Sequence, residues 1–121
     1  MRAEILALAL LFTTAAQAAE ITIVDGDTFD YDGERIRVIS LDTPEAGGRA
    51  DCLAERMLGK LATQRAAALL YSGKVEIDRR GRDQYGRTLA AVTIDGQDMA
   101  QTLIREGYGR PWRGRSEDWC K

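Results

Sequence analysis

Acidic and cationic side chains alternate at the turns of this sequence: Asp25-Gly26-Asp27-Thr28, then Arg37, then Asp42-Thr43-Pro44-Glu45, and further on Asp83-Gln84-Tyr85-Gly86-Arg87. Carboxylates are natural ligands of a hard divalent cation, and planar arginine forks are natural clamps for phosphate oxygens. Both halves of a phosphoryl-transfer site are therefore present in one short chain, and phosphodiester hydrolysis is the chemistry they point to.

Each fragment taken singly also has an ordinary reading. Asp-Gly is common in hairpin turns for structural reasons, although a glycine free to adopt positive φ lets a neighbouring carboxylate project from a strand end. A calcium-binding EF-hand loop is excluded, because aligning Gly26 or Gly33 to its central glycine leaves no glutamate at the closing position. Pro44 has a fixed φ and pushes Thr43 into extended geometry, so the Asp42 to Glu45 bend can hold a carbonyl and two carboxylates in defined directions. Arg37 and Asp42 are an odd number of residues apart, which on a regular strand puts them on opposite faces. For both to serve one site, the strand must bulge, bend or end before Asp42. Arg87 follows a Tyr-Gly turn and opens an apolar run, so its base is expected to be anchored while its guanidinium reaches outward.

Composition narrows the chemistry further. Histidine is absent, which removes the commonest general base and zinc ligand, and with two cysteines no four-ligand zinc site of nitrogen and sulfur can be built. Any metal must prefer oxygen. The formal net charge of −2 is unlike that of a general polyanion binder, but Arg79, Arg80, Arg82 and Arg87 cluster locally, as do Arg105, Arg110, Arg113 and Arg115. At the start, Arg2, an apolar run over residues 5–12 and Ala16-Gln17-Ala18 match an export signal, with cleavage expected after Ala18 or Ala19. The apolar run falls well short of the roughly 20 residues that span a bilayer. Residues 1–18 are thus expected to be a signal peptide and residues 19–121 a single exported domain, periplasmic or secreted, without a membrane anchor after cleavage. In an oxidising compartment Cys52 and Cys120 are expected to form a disulfide, stabilising by about 4 kcal/mol in the chain-entropy model.

The elements that must position these groups follow from periodicity. Residues 20–24, 28–31 and 34–41 read as a three-strand meander broken at Asp25-Gly26-Asp27 and Asp32-Gly33. Residues 50–71 read as a long amphipathic helix through Leu53, Met57, Leu61 and Ala54, Leu58, Ala62, continued by Ala66, Leu69 and Leu70 and ended at Ser72-Gly73. Residues 74–78 and 88–94 form a second strand pair with a loop over 79–86, and a shorter helix through Met99, Leu103 and Ile104 ends at Gly107. This α+β order fits a five-stranded, partly open OB-fold β-barrel with two flanking α-helices and an irregular C-terminal tail.

Together, Val24-Asp25-Gly26-Asp27-Thr28, Arg37, Leu41-Asp42-Thr43-Pro44-Glu45, Asp83-Gln84-Tyr85-Gly86-Arg87 and Leu89-Ala90 resemble, in order and spacing, the staphylococcal nuclease-like (thermonuclease) family. The resemblance implies an OB-fold nuclease that requires Ca²⁺. It implies that Asp27 and Asp42 bind the ion through carboxylates and Thr43 through its backbone carbonyl. Glu45 would orient or deprotonate the attacking water, while Arg37 and Arg87 would grip the scissile phosphate. The implied reaction cleaves the P–O5′ bond of DNA and RNA with little sequence preference, leaving 3′-phosphate ends, and the chain is expected to act as a monomer. A glutamate with the reference pKa of about 4.3 is a poor base at neutral pH, so positioning of water is the role expected of Glu45.

Two departures from the family pattern concern substrate grip. Gln84 stands where a lysine often occurs, and the segment after Gly107 lacks the family's pair of nucleotide-stacking tyrosines. Tyr85 and Gln84 are the expected substrate contacts, and Trp112 and Trp119 either supply a replacement stacking surface or pack on the barrel beside Cys120. The alternative reading is a non-catalytic OB-type module binding single strands or oligosaccharides, which retention of all the acids and arginines disfavours. A scaffold with a solvated charge network does not explain their joint spacing.

Overall fold

The computed structural model describes residues 2–12 and 18–121, so Ala16 and Gln17 of the expected cleavage motif lie outside the described residues. Ile5, Leu6, Leu8, Leu10, Leu11 and Phe12 are exposed and belong to no helix or strand. Among the described residues no helix is long and apolar enough to cross a membrane.

The chain forms β1 (Ile21–Asp25), β2 (Thr28–Tyr31), β3 (Glu34–Val38), α1 (Leu53–Tyr71), β4 (Val75–Arg82), β5 (Thr88–Ile94), β6 (Gln97–Asp98) and α2 (Met99–Arg105). The strand order is β1-β2-β3-β5-β4, with the two-residue β6 paired to β5. The meander and the β4/β5 pair are antiparallel, and they are joined by a parallel β3/β5 seam in which Ile36, Arg37 and Val38 face Thr88, Leu89 and Ala90. This is the expected α+β layout with one extra short strand, and the sheet is not closed. Asp32-Gly33 and Asp95-Gly96 have positive φ at both residues, the signature of the tight turns that match strand twist. Phe29, Ile36, Val38, Leu41, Leu70, Val92, Met99 and Leu103 form the core between sheet and helices.

Three elements differ from the sequence reading. β3 ends at Val38 rather than 41, and Ser40 takes a φ of 64°, so the chain leaves the sheet before Asp42. That turn resolves the awkward Arg37 to Asp42 spacing. β4 continues through the expected loop to Arg82, because a bulge between Arg79 and Gly81 lets pairing resume at Gly81↔Leu89 and Arg82↔Thr88. The third difference is the buried face of α1: Ala62, Ala66 and Leu70 lie on it as expected and are joined by Glu55 and Gly59, while Leu53, Met57 and Leu61 are 68%, 60% and 51% exposed. Small residues win the inner face because the helix lies close to the segment after Pro44. A Cβ on Gly59 would collide with the carbonyl of Glu45.

Candidate active site

Residues of β1, β2, β3 and β5 and the turns beside them line a cleft of about 840 Å³. Asp27, Arg37, Asp42, Glu45, Gln84, Tyr85 and Arg87 all line it, joined by Asp25, Arg49, Asp83 and Trp112. Thr43 is buried beside the cleft rather than lining it. Residues from β2's entry turn, β3, the 42–45 bend and the turn before β5 are thus brought together beside the parallel seam, which no local sequence pattern dictates.

Asp27 sits on the turn between β1 and β2. Its Oδ2 accepts the Thr43 backbone N–H at 3.1 Å and lies 3.7 Å from Arg37 Nη2, while its Oδ1 accepts the Thr28 hydroxyl at 2.9 Å. Gly26 does not have positive φ, contrary to the sequence expectation. Its missing side chain instead permits contact with Thr43, whose Cγ2 would lie 2.9 Å from an added Cβ. Asp42 receives the Glu117 N–H at 2.9 Å and the Trp119 Nε1–H at 3.1 Å, both on Oδ2. Burial pushes the Asp42 carboxyl above its ordinary range and the charge of Asp27 adds to this, against the opposing pull of those two donors and of Arg37.

Glu45 is held by its own backbone. Its N–H donates to the buried Glu55 at 3.1 Å, and the same carboxylate accepts the Asp51 N–H at 2.8 Å. The Glu45 carboxyl is pushed up to about 7, first by burial, then by its hydrogen bond with the Asp25 carboxyl and that group's charge, with Arg49 pulling the other way. Arg49 Nη2 stands 3.5 Å from Asp25 and 3.6 Å from Glu45. The Glu45 carboxyl thus sits above the reference value of a glutamate and closer to neutral pH, where a side chain can take up a proton.

The two arginines are held differently. Arg37 donates Nη1–H to the Val38 carbonyl at 2.6 Å, with the Trp112 ring centroid 5.5 Å from its guanidinium carbon. Arg87 is fixed by Asp83, which accepts its backbone N–H at 2.9 Å and its Nε–H at 2.6 Å and also takes the Tyr85 N–H at 2.9 Å. Burial would raise the Asp83 carboxyl, but the bonds from Arg87 and Tyr85 carry it below the usual carboxylate range. Among the described residues these contacts leave the Nη nitrogens of Arg87 to face a ligand. Tyr85 is 73% exposed and its ring lies 5.4 Å from the Arg87 guanidinium carbon, and Gln84 is exposed at the cleft rim.

Sequence reasoning missed Glu55, Arg49, Asp83 as an anchor, and the contacts of Glu117 and Trp119. Glu55 did carry a signal, since it stands three residues after the helix-capping Cys52. Cysteine is an unusual cap, and that hid the pattern. The Cys52–Cys120 disulfide is present, with Cα atoms 6.1 Å apart.

Among the described residues no three acidic, histidine or cysteine side chains close on a single point. The expected calcium set of two carboxylates and a carbonyl is a different arrangement, and the site's chemistry fits it. Asp27 and Asp42 are hard oxygen donors, both contacts to Asp42 fall on Oδ2 so that Oδ1 is spare, and burial beside a like charge opposes Asp42 ionisation, which a divalent cation would relieve. The Thr43 hydroxyl, buried and without a hydrogen-bond partner among the described residues, adds an unsatisfied oxygen nearby.

The sequence was compared with known proteins. The family model for staphylococcal nuclease homologues matches residues 35–118. Thermonuclease of Staphylococcus intermedius is 37% identical over 94 residues, covering 73% of this chain and 55% of that protein. Endonuclease YncB of Bacillus subtilis is also 37% identical over 94 residues, covering 72% of this chain and 44% of its own length. Micrococcal nuclease of Shigella flexneri is 32% identical over 111 residues, covering 75% and 59%. The chain thus spans about half the length of these relatives, and the matched region carries Arg37, Asp42, Glu45 and Arg87. With the open sheet, the flanking helices and the shared cleft, this places the chain in the staphylococcal nuclease family.

Proposed function

We propose that this protein is an exported, calcium-dependent nuclease that hydrolyses the phosphodiester bonds of DNA and RNA with little sequence preference. The observation that carries the reading is the gathering of Asp27, Asp42, Glu45, Arg37 and Arg87 in one cleft. Nucleic acid as substrate also accords with the names of these relatives, an endonuclease, a thermonuclease and a micrococcal nuclease. Export rests on the leader pattern of residues 1–18 and on the disulfide, which suits an oxidising compartment.

In this mechanism Asp27 and Asp42, with the Thr43 carbonyl, hold Ca²⁺, which when bound supplies Lewis-acid polarisation of a phosphate oxygen. Glu45 accepts a proton from water as the water oxygen bonds to phosphorus on the side opposite the 5′-oxygen. The P–O5′ bond breaks, the leaving oxygen takes a proton from solvent, and the other product ends in a 3′-phosphate. Arg37 and Arg87 donate to the equatorial oxygens where charge collects, and fixed donors there need no reorganisation during the step. Tyr85 and Gln84 line the rim, where they contact the nucleotide beside the scissile bond. The molecule acts as a monomer.

The deciding assay is digestion of plasmid DNA by the mature protein with Ca²⁺ and with chelator. Cleavage should require the ion, and removing either arginine should lower the rate by about 10³ to 10⁵ in protein that remains folded by circular dichroism. Equal digestion by wild type and Arg87→Gly would overturn the assigned roles.

A further inference from the structure

The C-terminal segment has no helix or strand after α2, yet its Trp112, Gly114 and Ser116 line the cleft. Arg110 and Asp42 exchange backbone hydrogen bonds at 2.8 and 2.9 Å. The Glu117 N–H and Trp119 Nε1–H both end on Asp42 Oδ2, at 2.9 and 3.1 Å. The Trp119 ring is itself held under the Arg110 guanidinium, 4.2 Å from carbon to centroid. One residue further on, Cys120 is bonded to Cys52, the cap of α1.

A carboxylate turns readily about its last bond, so a lone acid at a cleft edge can present either oxygen. Two donors on the same oxygen remove that freedom and reserve Oδ1 for the cleft that Asp42 lines. An irregular chain end, however, frays unless it is tied down. The disulfide ties it next to Trp119, and through Cys52 it links the tail to the helix whose Glu55 holds Glu45.

We propose that the C-terminal segment is a working part of the site: Trp119 is a positioning residue that, with the Glu117 amide, orients Asp42, and the Cys52–Cys120 bond holds it there so that reduction disarms the cation site. The inference rests on the nuclease reading above, with Asp42 as a cation ligand. A dithiol reductant performs the disarming step in balance. Its two sulfurs become a new disulfide, and its two hydrogens pass to the sulfurs of Cys52 and Cys120. Cys120 is exposed, so a reductant has access.

The test is calorimetric titration of Ca²⁺ into oxidised wild type, Trp119→Phe, Cys120→Ser and dithiothreitol-reduced wild type, with kcat and KM measured on DNA for each. Trp119→Phe keeps a ring under Arg110 and loses only the donor, so its melting temperature should stay close to wild type. Its Ca²⁺ affinity should fall roughly 10- to 100-fold, the usual consequence of removing an outer partner of a metal ligand. Reduced wild type and Cys120→Ser should weaken at least as much, and reoxidation of the wild type should restore binding. Oxidised wild type that binds Ca²⁺ and cleaves DNA, matched in affinity by Trp119→Phe and by the reduced protein, overturns the role of the tail alone. Oxidised wild type that neither binds nor cleaves overturns the nuclease reading, and the role of the tail with it.

Discussion

The carboxylate of Glu55, in the first turn of α1, accepts the backbone N–H of Glu45 at 3.1 Å. A buried helix residue thereby sets the path of the loop that carries the candidate base, and its other oxygen secures Asp51 at 2.8 Å. Replacing Glu55 by alanine strands two backbone donors, a loss on the order of 2–3 kcal/mol for bonds to a charged group. Urea unfolding should show that decrease, and cleavage should fall further than the unfolded fraction accounts for, because Glu45 is no longer held.

Gly59 should be nearly as intolerant. An added methyl meets the Glu45 carbonyl and the Ala46 nitrogen, which are backbone and cannot swing aside. Gly59→Ala would improve helix propensity in isolation, yet here it should destabilise by about 1–3 kcal/mol through overpacking. Thermal melts of Gly59→Ala beside a control at exposed Lys60→Ala separate the two effects, since only the former should also depress activity.

Asp83 anchors Arg87 without touching the substrate in this mechanism. Asp83→Asn keeps one acceptor but removes the charge that pairs with Arg87 Nε. The fixed fork should loosen, lowering kcat by about 10- to 100-fold with folding retained. A loss as large as that of Arg87→Gly would place Asp83 among the groups that act on substrate directly.

Away from the cleft, Glu34 gives a pH signature. Hydrogen bonds from Arg79 and then Thr88 lower its carboxyl from 4.5 to about 2. A depressed folded pKa means the contribution is fully present above about 4.5 and is lost as pH falls toward about 2. The pair is exposed to solvent, so screening keeps the contribution small. Glu34→Gln should therefore be slightly less stable than wild type at pH 7, and the gap should close between these two pH values in denaturant titrations.

The Asp32-Gly33 and Asp95-Gly96 turns were legible because their backbone conformations depend on the residues in them. Both helices and the main strands were legible from periodicity, and the site motifs from their order and spacing. The inner face of α1 was legible only in part: Ala62, Ala66 and Leu70 lie on the expected face, but the stronger apolar stripe of Leu53, Met57 and Leu61 stays outside, and Gly59 takes an inner position because it allows the close approach the Glu45 loop demands. The extension of β4 to Arg82 depended on a partner strand that supplies pairing beyond the bulge.

Read alone, the chain determined which groups were available: acids and arginines at turns, no imidazole and two cysteines. These are properties of residue type and short-range backbone geometry, and they suffice to name a chemistry. Tertiary structure decided which of those groups meet. The parallel β3/β5 seam brings Arg37 and Arg87 to one cleft, and the tail places Trp119 on Asp42 across 77 positions of sequence. It also decided the surroundings of Glu45, whose carboxyl is raised by burial and by the neighbouring Asp25. Desolvation and through-space charge depend on what surrounds a group in three dimensions, and no spacing along the chain encodes them.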